Sequence, residues 1–221
     1  MNFNIIDMDH WDRKQHFEHY LKSVKCGFSI TSNIDITTLV PAVKAKALKL
    51  YPVFLYMVSS VVNMHQEFRV CFNDDNELGY WDRMNPSYTI FHKNTNTFSS
   101  LWTEYTDDFN EFYQNIHVDM EKYSIIQDLF PKPDCPPNCF PVSCIPWVSF
   151  TGFNLNLFND NEFLSPIVTI GKYFEQSNTL QLPVCLQVHH AIADGYHASQ
   201  FMNDLQQLAL MSEKWMNVDE E

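Results

Sequence analysis

Long hydrophobic runs are scarce in this sequence. The most apolar stretch, LYPVFLYMVSSVV from Leu50 to Val62, is interrupted by Pro52 and two serines. It is too short for a bilayer, which needs about 20 apolar residues, and it fits a buried helix better, so no membrane partner is expected. Positive charge is scarce too: 14 Lys+Arg stand against 27 Asp+Glu, a formal net charge of -13. That balance opposes general binding to phosphate backbones or anionic lipid, so no nucleic-acid partner is expected either. It leaves room for one anionic ligand held by two or three local lysines. With 5 glycines and 11 prolines spread along the chain, collagen-like repeats and low-complexity disorder are excluded. MNFNIIDMDHWDRK at the start has no basic segment leading into an apolar core, so it does not read as a secretory leader. The motifs GxxxxGK[ST], GxGxxG and GxSxG are missing, which removes motif support for nucleotide hydrolysis, dinucleotide binding and a serine-hydrolase elbow.

What is present is a chain of 221 residues, 45% hydrophobic and 15% aromatic. That is ample for a real core, and without repeats or a long linker it reads as one domain over 1–221. An acidic tail from about 213 to 221 is a candidate for disorder. Cys26, Cys71, Cys135, Cys139, Cys144 and Cys185 are scattered through a chain that needs no staples, which suggests reduced thiols and a cytoplasmic protein. Cys135 and Cys139 lack a second cysteine pair to complete a tetrahedral site, so no metal is expected.

Asp12 can cap a helix through His16, Phe17, Tyr20 and Leu21. Cys26 to Ile36 reads as a strand, followed by helices over about Thr38–Leu50 and Pro52–Met64. Phe68 to Asp82 is a hairpin signal with its turn at Asn73 to Asn76, Ser87 to Lys93 another strand, and Asp107 to Tyr123 a helix. Pro131 to Pro141 should be an extended loop, because proline disrupts regular structure. Three β segments follow, with EQSNT as a turn, before a final helix through Trp215. The mixture predicts an α/β layer with a mixed sheet.

Chemistry concentrates in VHHAIADGYH, Val188 to His197. Neighbouring residues on a strand point to opposite faces, so His189 and His190 cannot share one cleft. One of them is available as a general base near neutral pH. Asp194 offers a carboxylate one turn later, for an Asp–His dyad or a helix N-cap, and Gly195 permits an unusual backbone or a close approach.

The HHxxxDG pattern resembles the active-site motif of the chloramphenicol acetyltransferase family, within the wider CoA-dependent acyltransferases. WDRKQHFEHY, CGFSITSNIDIT, SCIPWVSFTGFNLN and PIVTIGKY extend the resemblance in order and spacing over essentially the whole chain. It implies a two-layer α/β sandwich with a mixed β-sheet, acting as a homotrimer with active sites at subunit interfaces. No cofactor would be tightly bound, and acetyl-CoA would be a co-substrate. The implied reaction moves the acetyl group of acetyl-CoA to the 3-hydroxyl of chloramphenicol in a ternary complex, which confers antibiotic resistance.

Carried over by position, His190 would be the general base and Ser143 the donor to the tetrahedral oxyanion. Asp194 would be structural, paired with Arg13, in place of the Asp–His dyad. Tyr20, Cys26, Phe98, Phe130, Phe153, Leu155 and Thr169 would contact the antibiotic. Trp147, Tyr173, Lys49 and Lys172 would line the CoA route. Outside the resemblance, Ser143 is an ordinary loop serine, Arg13 a solvated helix residue and the aromatics core. Two positions depart from relatives: Ala193, where cysteine is frequent, and Ser87, where some have glutamine. Rival readings are an acyltransferase with another hydroxyl acceptor and a non-catalytic binder of aromatic ligands.

Overall fold

The computed structural model describes residues 1–157 and 163–216. Its main sheet runs β2 (Gly27–Asp35), β10 (Thr179–His189), β8 (Ile167–Gly171), β7 (Cys139–Ile145), β5 (Asn85–His92), β6 (Thr97–Trp102). The short strand β9 (Phe174–Gln176) pairs with β10. Strands β5, β7 and β8 are parallel and the other pairings antiparallel, so the sheet is mixed as expected. A separate small sheet joins β1 (Phe3–Ile5), β4 (Leu78–Trp81) and β3 (Val70–Phe72).

Helix α2 (Leu39–Ala45) stops short of the expected Leu50, and α3 (Leu50–Met64) is buried from Pro52 to Val62, as its apolar run predicts. It packs on α5 (Gly195–Leu210), α4 (Phe109–Tyr123) and β5, while α5 covers β2 and α4 covers β6. This helical layer sits over one face of the sheet, giving the two-layer α/β sandwich. The strand period shows which face. Along β10, Leu182, Val184, Leu186 and Val188 enter the core, and Cys185, Gln187 and His189 alternate with them toward the opposite face. Phe140 and Val142 do the same on β7, which turns Ser143 away from the helices.

Several local expectations change. Arg13 takes the N-cap position of α1 (Lys14–Glu18) with no side-chain cap, so Asp12 does not cap it. The chain continues as a π-helical turn, His19–Ser23, which brings Tyr20 round toward the end of β10. Strand β7 begins inside the stretch expected to be loop. Residues Cys139 to Pro141 pair with β5 alone, and β8 joins only from Val142, so Pro141 lacks a neighbour on one side and its missing N–H costs no ladder bond. The EQSNT turn tightens to Ser177–Asn178, both at positive φ, as a two-residue hairpin requires. Helix α6 (Ser212–Trp215) and a buried Met216 reach into the acidic tail, and 217–221 lie outside the described residues. No helix among the described residues is long and apolar enough to cross a membrane.

Candidate active site

His190 lies one residue beyond β10, and main-chain groups fix it. Its N–H donates to Cys26 O at 2.9 Å, tying the turn to the start of β2. Closing that seam requires glycine at 27, because a Cβ there would sit 2.9 Å from Val188 O. The His190 ring stacks on Tyr20 with centroids 3.8 Å apart and 8° between planes, and Phe28 meets its edge at 5.2 Å. Its Nδ1 lies 3.2 Å from Ala193 O, an obligate acceptor, so Nδ1 carries the hydrogen and Nε2 keeps a lone pair.

Arg13 braces this turn from behind. Its Nε donates to Ala191 O at 2.9 Å, one terminal nitrogen to His190 O at 3.0 Å and the other to Asp194 Oδ2 at 3.0 Å. Asp194 also N-caps α5, accepting from Tyr196 N–H at 3.0 Å, and His197 closes the capping box. The carboxylate therefore engages Arg13, Tyr196 and His197, and no Asp–His dyad forms with His190. Gly195 is not needed for space or for backbone: a Cβ there meets nothing within 4 Å and its φ is not positive.

His189 turns away from its neighbour, as strand alternation requires. It is 7% exposed, its Nδ1 accepts from Ala191 N–H, and burial first, then the neighbouring His190 ring, pushes its pKa down. It lines a cleft of about 330 Å³ with Gly27 and Leu155; the Leu155 N–H donates to Gln187 Oε1 at 2.9 Å and Gln187 Nε2 donates back to Leu155 O at 2.8 Å.

Ser143 belongs to a second cluster. It faces Thr169 across β7 and β8, and Thr169 faces Cys185 on β10, so the three form a row across the sheet face turned from the core. The segment after β7 covers this row, with Phe153 O accepting from the Cys185 thiol at 3.1 Å. Ser143, Phe98, Phe153, Trp147 and Lys49 line one cleft of about 900 Å³. Trp147 is 60% exposed and sits edge-on to Phe91 at 4.6 Å. Lys172 and Tyr173 line a smaller cleft of about 380 Å³ that shares Tyr51, Cys144 and Pro146 with the larger one. Phe130 stands apart, 70% exposed on the loop after α4.

Within one chain the His190 and Ser143 clusters do not meet. A rise of about 3.3 Å per residue along β10 and about 4.8 Å per strand across the sheet put their backbones roughly 19 Å apart. Sequence reasoning missed Phe28, Tyr51 and Phe91. Alternation after Gly27 offers a signal for Phe28, whereas Tyr51 looks like any core aromatic and Phe91 like any strand residue.

The family model for chloramphenicol acetyltransferase matches residues 1–206. Chloramphenicol acetyltransferases from Clostridium butyricum and Clostridium perfringens are 55% and 54% identical over 216 residues, covering 98% of this chain and 99% of each relative. This chain belongs to the chloramphenicol acetyltransferase family. One from Staphylococcus aureus is 45% identical over 98% of this chain and 100% of its own. Among solved structures, a chloramphenicol acetyltransferase matches with TM-score 0.83 at 22% identity over 94% of this chain and 100% of that one. A dihydrolipoamide acetyltransferase from Azotobacter vinelandii matches with TM-score 0.66 at 15% identity, over 86% and 84%. These structural likenesses speak to the fold.

The positions that the sequence set apart, Ala193 and Ser87, both have local partners. Ala193 is fully buried and its carbonyl, which any residue would supply, holds His190. Ser87 Oγ pairs with Ser100 Oγ at 2.9 Å across β5 and β6.

The support pair sets an acid limit. Burial alone raises the Asp194 pKa, but the Arg13 hydrogen bond, His197 and the Tyr196 N–H outweigh it and hold the carboxyl at about 2. The folded value lies below the unfolded one of about 3.9, so the contribution is present above about pH 4 and lost as pH falls toward 2. The Asp194 side chain is 37% exposed, which keeps the effect to about 1 kcal/mol or less. In urea unfolding, the stability gap between wild type and Asp194→Asn should stand undiminished at about pH 5 and shrink between about 4 and 2. A gap that persists at the acid end contradicts this origin.

Proposed function

We propose that this chain transfers the acetyl group of acetyl-CoA to the 3-hydroxyl of chloramphenicol in a ternary complex, and so confers resistance to the antibiotic. The observation that carries the reading is the His190 imidazole, with Nδ1 engaged by Ala193 O and Nε2 left to accept a proton. An alcohol attacks a thioester poorly until its proton has somewhere to go. Nε2 takes that proton as the oxygen attacks the acetyl carbon. The tetrahedral oxyanion accepts a hydrogen bond from Ser143, and collapse expels CoA thiolate, which is reprotonated by the imidazolium. The chemistry is all in side chains and co-substrate, with no tightly bound cofactor.

Base and donor must each lie about 3 Å from neighbouring reacting atoms, which the roughly 19 Å between the two clusters forbids within one chain. This supports an assembly in which His190, Tyr20 and Cys26 of one copy meet the cleft of the next, which suits the homotrimer that the family resemblance implies. Phe98, Phe130, Phe153, Leu155 and Thr169 would then hold the drug, and Trp147, Tyr173, Lys49 and Lys172 the CoA. The single core cluster supports one domain over the chain, and a substrate set of acetyl-CoA and a diffusible drug suits the cytoplasm. The test is CoA thiol release followed with and without chloramphenicol. Drug-dependent release supports the assignment; its absence from well-folded protein refutes it. Release with another alcohol in place of chloramphenicol would favour the alternative acceptor.

A further inference from the structure

Cys135 and Cys139 take no part in the acetyl transfer, yet their side chains meet. The two sulfurs are 3.6 Å apart, and Pro136 O lies 3.8 Å from Cys135 Sγ. The chain path brings this about. Asp134 adopts φ 56°, and the two prolines that follow Cys135 fix their own φ, folding the segment back onto the start of β7. Cys135 is exposed and Cys139 half-buried. The remaining thiols are placed differently. Burial pushes Cys71 and Cys144 each up to about 11, Cys185 is buried and donates to Phe153 O, and Cys26 lies beside His190. Burial, and then Cys135 itself, also push Cys139 up, so Cys135 is the sulfur a solution reagent meets first.

The loop between α4 and β7 is already pinned along one side. Ser100 N–H donates to Leu129 O at 2.7 Å, Lys132 Nζ reaches Asp119 at 2.7 Å and Trp102 O at 3.0 Å, and the Trp102 indole donates to Pro133 O. These contacts fasten it to α4 through Asp119 and to β6, the strand of Phe98. Cys139 lies on β7 and shares a strand face with Ser143.

We propose that Cys135 and Cys139 form a thiol–disulfide modification site for low-molecular-weight disulfides, and that the bridge locks the loop bearing Phe130 to β7. In the first step the Cys135 thiolate attacks one sulfur of the small disulfide, breaking its S–S bond and releasing one small thiol. In the second, Cys139 sulfur attacks Cys135 Sγ of the mixed disulfide and expels the other small thiol. Two protein thiols are oxidised, the small disulfide is reduced to two thiols, and the two protons leave with them. The sulfurs close from contact to about 2.05 Å, which a short shift of the exposed Cys135 accomplishes.

The experiment treats the folded full chain with oxidised glutathione, alkylates the remaining thiols and maps peptides by mass spectrometry. Wild type should lose two hydrogens across residues 135–139 and take no alkyl label on either cysteine. Cys139→Ser should stall as a glutathione adduct on Cys135, and Cys135→Ser should give neither bridge nor adduct on Cys139. Limited proteolysis within residues 124–138 should slow on oxidation and recover with reductant. Both variants should retain acetyl transfer, which makes failure of this inference separable from failure of the proposed function. Full alkylation of Cys135 and Cys139 after oxidant, or a glutathione adduct persisting in wild type, overturns the bridge. A bridge that leaves cleavage unchanged overturns the locking.

Discussion

Replacing His190 with alanine should lower chloramphenicol-dependent CoA release by about 10²–10⁴-fold, the range for a positioned general base. The ring is held on four sides, by Tyr20 stacking, the Phe28 edge, the Ala193 carbonyl and its own main chain bonded to Cys26 and Arg13. That enclosure leaves one lone pair for the proposed base, and alanine leaves the main-chain bonds in place. The loss should therefore appear in kcat, with unfolding midpoint and drug affinity close to wild type. His190→Gln, which retains hydrogen-bonding capacity but is no base, should fall as far. If it stays near wild-type rate, proton abstraction is not the role of this side chain.

A gain of activity offers the second large effect. Ser143→Ala should cost about 10²–10³-fold on its own, as for loss of one oxyanion donor. Neither it nor His190→Ala should then work alone. Mixed by co-expression or joint refolding, the two should recover activity if the proposed trimer forms, because a ring that pairs His190 of one copy with Ser143 of the next regenerates one wild-type site in each mixed trimer. Random assortment gives about a quarter of the wild-type rate, far above either parent. Recovery requires the two groups to act from different chains. A mixture no more active than its parents would mean that each chain carries its own complete site, against the separation across β10, β8 and β7.

Much of this architecture is readable from residue order. The alternation Leu182, Val184, Leu186, Val188 against Cys185, Gln187, His189 gives both the strand and its buried face. The periodicity of Phe109, Phe112, Tyr113, Ile116 and Met120 gives α4, to which the structure adds an N-cap at Asp108 accepting from Glu111 N–H. Features that depend on tertiary neighbours are harder to read. Arg13 and Asp194 are far apart in sequence and only the family resemblance joins them, and β6 hides in a short Ser/Thr-rich segment that becomes a strand by pairing with β5. Pro141 within β7 misleads because proline reports a missing donor, not which side of a strand is empty. The fixed hydrogen on His190 is invisible as well, since it is held by donation to a main-chain carbonyl that any residue carries.

That last point has a consequence for how the protein tolerates change. The groups that aim the imidazole, namely the oxygens of Cys26, His190, Ala191 and Ala193, belong to the polypeptide backbone and so come with any amino acid. Side-chain exchange at 26, 191 or 193 then strains packing but leaves the proton where it is. Lengthening or shortening the turn by one residue would move the oxygens of His190, Ala191 and Ala193 together and shift them against that of Cys26. Selection on this turn should therefore act on its length more strictly than on its lettering.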